Sequence, residues 1–261
     1  MEIPLNDDGD GLLHIACRWG DAAIVRHLTT AQRFKTNIAN TTTQTCDPNI
    51  SDHKCQLNIQ NRRGETPLHI ASEHGDLETV KALTSSKDCD LNISDRRGNT
   101  PLLKACLHGH YSTLQFLVAD ERCQLNVKNR EGETPLHIAI EHGHLDTVKV
   151  FVSRRECDLN ISDDRGNTPL HKACKYGHYF TVEFLVADQR CQLNAKNGMG
   201  DTPLQIASEY GHLKTIKALF SRKACDFNHT CDPNVLNKYH LTPLLAAIKH
   251  GNPAIKSESL L

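Results

Sequence analysis

The tripeptide Thr-Pro-Leu occurs six times in this chain, beginning at Thr66, Thr100, Thr134, Thr168, Thr202 and Thr242; the first five copies are 34 residues apart. A fixed period of that length confines the chain to architectures in which one supersecondary element is copied and stacked on itself. A seventh, degenerate copy lies upstream, where Gly9-Asp10-Gly11-Leu12-Leu13-His14-Ile15-Ala16 aligns with Gly64-Glu65-Thr66-Pro67-Leu68-His69-Ile70-Ala71.

Each copy predicts two short helices. In residues 58–91, Asn61-Arg62-Arg63-Gly64 is a turn, and Thr66 is placed to cap a helix whose first position is Pro67, where a missing N–H costs nothing. Gly75 is the expected left-handed stop of that helix. A second helix starts near Leu77, with Leu77, Val80 and Leu83 forming one apolar stripe. Helices of two to three turns are marginal alone, so neighbouring copies must bury one another's apolar faces.

Eleven cysteines suggest a disulfide framework until their positions are read. Cys55, Cys89, Cys123, Cys157, Cys191 and Cys225 also recur every 34 residues, so they occupy equivalent places in successive copies and read as small buried hydrophobes. Thirty basic against 31 acidic side chains leave a net charge of −1, which argues against a nucleic-acid partner. No run of about 18 apolar residues is present, and the N-terminus has no apolar core of a secretion signal, so the expected location is the cytoplasm, with no membrane contact. Cys225, His229 and Cys231, like Cys46, His53 and Cys55, lack the spacing of a structural zinc site. No phosphate-binding loop, nucleophile elbow or zinc-protease motif occurs, so no cofactor, no metal and no catalytic residue is expected.

The repeated Gly-x-Thr-Pro-Leu-His-x-Ala, the Gly-His that follows, the Val–Leu stripe and the closing Asp-Leu-Asn resemble the ankyrin repeat, as in Gly132-Glu133-Thr134-Pro135-Leu136-His137-Ile138-Ala139. The resemblance covers about nine-tenths of the chain. It implies an all-α solenoid of helix-turn-helix units joined by β-hairpin-like turns. The divisions expected are a degenerate N-terminal capping repeat at 7–34, a polar inserted loop at 35–54, and repeats at 58–91, 92–125, 126–159, 160–193 and 194–227. A short insertion at 228–233 and a C-terminal capping or truncated repeat at 234–261 complete them. The stretch from residue 29 to 54, rich in Thr and Asn, reads as loop throughout. In the last repeat His240 stands where the others have Gly. The family's Thr-Pro-Leu-His histidine, here His69, His137 and His171, is implied to stiffen its turn by hydrogen bonds; Leu103, Gln205 and Leu245 replace it elsewhere.

A longer period lies inside the first. Residues 58–125 and 126–193 are identical at 48 of 68 positions, whereas 58–91 and 92–125 match at only 15 of 34, so the copied block is a pair of repeats.

Proteins resembling this one bind other proteins on a concave face of turn tips and first-helix ends. Carried over by position, the tips are Arg62, Arg63 and Glu65; Arg96, Arg97 and Asn99; Arg130, Glu131 and Glu133; Asp164, Arg165 and Asn167; and Met199 with Asp201. The helix positions are Glu73 and His74, Leu107 and His108, Glu141 and His142, Lys175 and Tyr176, and Glu209 and Tyr210. Glu73, Glu141 and Glu209 recur in alternate repeats as an acidic ladder, which suggests a partner carrying Lys or Arg with apolar residues. The expected function is a monomeric, non-catalytic scaffold for another protein. Two alternatives remain open at this point: the recognition arm of a longer multidomain protein, and an effector of a symbiont or pathogen acting on host proteins.

Overall fold

The computed structural model describes residues 6–39, 57–220 and 231–252 and divides the chain into two compact units, Met1–Arg130 and Glu131–Leu261. The first holds α1 (Leu12–Arg18), α2 (Ala22–Ala39), α3 (Pro67–His74), α4 (Leu77–Thr84), α5 (Pro101–Leu107) and α6 (Tyr111–Ala119). The second holds α7 (Pro135–Glu141), α8 (Leu145–Ser153), α9 (Pro169–Tyr176), α10 (Tyr179–Ala187), α11 (Pro203–Glu209), α12 (Leu213–Phe220) and α13 (Pro243–Lys249). Among the described residues there is no strand; the junctions between helical hairpins are turns.

Within each unit the helices form two layers. In the first, α3 packs between α1 and α5, while α4 packs on α2 and α6. In the second, α7, α9, α11 and α13 follow one another in one layer, with α8, α10 and α12 in the other. The apolar stripes meet between the layers, where Leu68, Val80, Leu83, Leu102 and Leu114 are fully buried in the first unit and Leu136, Phe151, Leu170 and Leu185 in the second.

The local chemistry follows the motif. Thr66 has extended backbone at the N-cap, Pro67 opens the helix, and Gly75 closes it at φ 71°. The turn before each helix is wound around one Asx side chain: Asn61 Oδ1 accepts from the backbone N–H of Arg63 and of Glu65, both at 2.9 Å, and Asp95 does the same for Arg97 and Asn99 at 2.8 Å. His240 takes φ 56°, the left-handed conformation that glycine supplies at this point in the other turns.

The histidine at the third helical position works as the resemblance implies. His69 Nδ1 lies 2.8 Å from the Thr66 hydroxyl, and its Nε2 lies 2.9 Å from the carbonyl oxygen of Asn99 in the next hairpin. His137 and His171 repeat the arrangement with Asn167 and Asp201, and His14 does so with Glu65. Gln205 replaces it with an amide: its Oε1 accepts from Thr202 N–H at 2.8 Å and its Nε2 donates to Leu241 O at 2.7 Å.

The segment expected to be loop from residue 29 begins as helix. The second helix of the first hairpin runs to Ala39 without a Gly or Pro to stop it, because a helix already nucleated extends at little cost through Ala31, Gln32, Arg33 and Lys35. Residues 40–56 lie outside the described residues, as do 221–230 and 253–261. All eight cysteines among the described residues are buried thiols outside any disulfide, Cys231 of the short insertion included.

Candidate functional site

Each hairpin presents a turn tip and the C-terminal end of its first helix, and neighbouring tips are tied together through the backbone. Arg96 N–H donates to Arg63 O and Arg130 N–H to Arg97 O, each at 2.9 Å; in the second unit Asp164 N–H donates to Glu131 O at 3.1 Å and Gly198 N–H to Arg165 O at 2.9 Å. The side chains carried on these tips therefore stand on a fixed backbone.

The expected binding residues separate into three groups. Exposed are Arg62, Arg63, His74, Arg96, Arg97, Leu107, His108 and Arg130 in the first unit, and Glu131, His142, Asp164, Arg165, Tyr176, Met199 and Tyr210 in the second. Half-buried are Glu73, Asn99, Glu133, Glu141, Asn167, Lys175 and Glu209. Buried are Glu65 and Asp201. Those two carboxylates turn away from solvent because the fold supplies their partners: Asn61 and Lys104 for Glu65, and Asn237, at 2.7 Å, for Asp201.

The acidic ladder is largely satisfied from within. Lys104 Nζ lies 2.7 Å from Glu65, 2.9 Å from Glu73 and 3.5 Å from Asp95. Lys172 repeats this with Glu133 at 2.6 Å, Glu141 at 2.8 Å and Asp163 at 3.8 Å. Burial works against the charge of Glu73 and Glu141, yet the lysine beside each holds its carboxyl below the usual carboxylate range. Burial likewise opposes the Lys172 charge, and hydrogen bonds to Glu133 and Glu141 override it, raising the ammonium to about 12. At the third rung the lysine position is Ala246, and the Glu209 carboxylate faces His250, 3.6 Å away.

Sequence reasoning did not single out Lys104 and Lys172, although their 68-residue spacing opposite the acids was a readable signal. It also assigned no partners to Arg122 and Arg190. Arg122 donates to the carbonyls of Thr84 and Ser86 at 3.0 and 3.2 Å, and Arg190 to those of Val152 and Arg154 at 2.6 and 3.0 Å, so each closes the C-terminal end of the preceding second helix. The second repeat of each copied block thus clasps the first at both ends, with a lysine on one face and an arginine at the other. Trp19, 76% exposed, was also missed; it occupies the position of His74, His108 and Tyr176.

What remains open to a partner is aromatic and mixed in charge. Tyr176 donates its hydroxyl to Glu141; burial, reinforced by that bond, pushes the phenol up to about 12. Tyr176 stacks on His178 at 6.0 Å and Tyr210 on His212 at 6.2 Å, so both rings are held while one edge faces solvent. Lys175 lies over the Tyr176 ring at 5.3 Å. Among the described residues no group of His, Cys, Asp and Glu is arranged to hold a metal ion, and no helix is long and apolar enough to cross a membrane.

This stack of Thr-Pro-Leu-His hairpins belongs to the ankyrin-repeat family: the family profile described as ankyrin repeats (three copies) matches residues 2–95, 37–129, 83–163, 112–197 and 155–231. The chain is 30% identical to Protein ACCELERATED CELL DEATH 6 of Arabidopsis thaliana over 86 residues, 33% of this chain and 10% of that protein. It is 35% identical to NF-kappa-B inhibitor alpha of Gallus gallus over 98 residues, 31% of this chain and 30% of that protein. It therefore spans a minor part of the length of either curated relative. The solved ankyrin repeat domain of Bcl-3, described as a unique member of the IkappaB protein family, matches 92% of this chain and 95% of its own length at 26% identity, with a TM-score of 0.74.

Proposed function

We propose that this chain is a monomeric, non-catalytic cytoplasmic scaffold that holds a segment of another protein on its turn tips and first-helix ends. The observation that carries the reading is the division of labour within each hairpin. Thr, His, Asn and the buried acids are engaged in bonds that link one hairpin to the next, while one position at the end of each first helix carries an aromatic ring in every copy and faces solvent: Trp19, His74, His108, His142, Tyr176, Tyr210 and His250. Large aromatic side chains held against their neighbours lose little freedom on binding, which suits them to anchor a partner. The likeness to an IkappaB-family ankyrin domain supports the same role.

The test is affinity capture from lysate at about 0.15 M and about 0.5 M salt, with wild-type protein and with Tyr176→Ala/Tyr210→Ala. The proposal expects a discrete partner that the double variant loses while keeping its melting temperature. Equal capture by both proteins would place the binding surface elsewhere.

A further inference from the structure

The first compact unit carries a row of charge that has no ion pair among the described residues. Arg62, Arg96 and Arg130 occupy the same position on three successive tips, and all three are exposed. At the same position the later tips have Asp164, Gly198 and Lys238, so the row is specific to the first unit. Its backbone is fixed at every step, by Arg62 N–H on Asp8 O at 2.8 Å and by the bonds of Arg96 and Arg130 described above. Three nearby acids are already engaged: Asp8 pairs with Arg63 at 3.0 Å, and Glu65 and Asp95 face Lys104. Arg62 gives Nη1 to the carbonyl of Asp7, whereas Arg96, Arg97 and Arg130 have no ion pair with the described residues. Arg62 and Arg96 line a cleft of about 360 Å³ together with Gly9 and Gln60, with room for a carboxylate side chain.

We infer that the row Arg62, Arg96 and Arg130 seats an acidic segment of the partner protein, lying extended across the tips with a carboxylate at every third residue. The inference rests on the scaffold reading above and gives the partner its chemistry. Stacked hairpins repeat at roughly 8–10 Å. A polyproline II chain rises about 3.1 Å per residue with three residues per turn, so positions i, i+3 and i+6 share one face at about 9 Å intervals. A β-strand alternates faces every residue and cannot keep that register. The narrow row on a chain of net charge −1 suits a short peptide better than the continuous charge of a nucleic acid.

The experiment is fluorescence anisotropy on the full chain with three labelled probes: Glu-Pro-Ala-Glu-Pro-Ala-Glu, the same composition with its three Glu consecutive, and an oligothymidylate. The spaced peptide is expected to bind about tenfold tighter than the clustered one, each arginine contributing about threefold as an exposed ion pair does. Arg96→Ala and Arg96→Glu should weaken it without lowering the melting temperature, and Arg165→Glu in the second unit should leave it unchanged. Equal binding of the clustered peptide or of oligothymidylate, or indifference to Arg96→Glu, overturns the inference. If no probe binds while wild-type protein still captures a partner through Tyr176 and Tyr210, the acidic segment is wrong and the scaffold reading stands. If both fail, both fall.

Discussion

Lys104 donates to Glu65 at 2.7 Å across 39 residues of sequence, linking the second and third hairpins through side chains that are 13% and 5% exposed. Lys104→Ala leaves the Glu65 carboxylate buried without its cation, and removing one member of a buried pair is costly. We expect a loss of about 2–3 kcal/mol at neutral pH, seen in urea unfolding, and below 1 kcal/mol for Glu73→Gln at the more exposed end of the cluster. Hydrogen bonds to Glu65 and Glu73 override burial and raise the lysine above its ordinary range, so its contribution is complete at neutral pH and fades only as pH rises through that elevated value. Equal costs for the two substitutions would show that the cluster is not organised around the buried acid.

The histidine links make the protein sensitive to acid. Burial lowers His69 to about 4, against the opposing pull of its bond to the Asn99 carbonyl, and lowers His137 and His171 in the same direction. The folded state holds these rings neutral while the unfolded chain protonates near 6.5. Stability is therefore present above about 6.5 and is lost as pH falls toward 4, by up to about 3 kcal/mol for His69. Gln205 shows that an amide can make both bonds, so His69→Gln is expected to keep most of the stability at pH 7.5 and to flatten its decline between pH 6.5 and 4. Chemical denaturation at several pH values checks this; an unchanged slope would remove His69 from the account.

Turn tips cannot accept side chains where they approach one another. Gly64 has φ 77°, and a Cβ there would come within 2.8 Å of Arg96 N, the atom that donates to Arg63 O. Gly64→Ala adds left-handed strain to a clash with backbone, for an expected cost of about 2 kcal/mol and faster hydrogen exchange at the Arg96 amide. An unaltered exchange rate at Arg96 would mean that the tips adjust freely.

The hairpins and their caps were legible because they are local: Thr66, Pro67 and Gly75 act on backbone within a few residues of themselves, as does His69 through Nδ1, while its Nε2 bond to Asn99 in the next hairpin was read only from the family resemblance. His240 was readable for the same reason, since a non-glycine at a glycine position must adopt positive φ. Side-chain partners in the next repeat were not. Lys104 and Glu73 are 31 residues apart, and only the stacking of the hairpins shows that the ammonium reaches both acids. Glu65 and Asp201 were expected at the tips because their backbone is there, but their carboxylates point into the layer between hairpins. The continuation of α2 to Ala39 was obscured by its Thr and Asn content, which is poor in propensity yet contains no breaker. The rigid framework was thus largely visible in sequence; which charges it leaves over was not.

The central claim is that partners dock on the tips and first-helix ends and not on the second helices. A photo-crosslinking amino acid placed singly at His108 or Tyr176, and at the exposed second-helix positions Gln115 or Glu183, tests it in lysate. The account predicts one crosslinked species from His108 and Tyr176 and none from Gln115 or Glu183. The same species captured from the second-helix positions, with none from His108 or Tyr176, would contradict it.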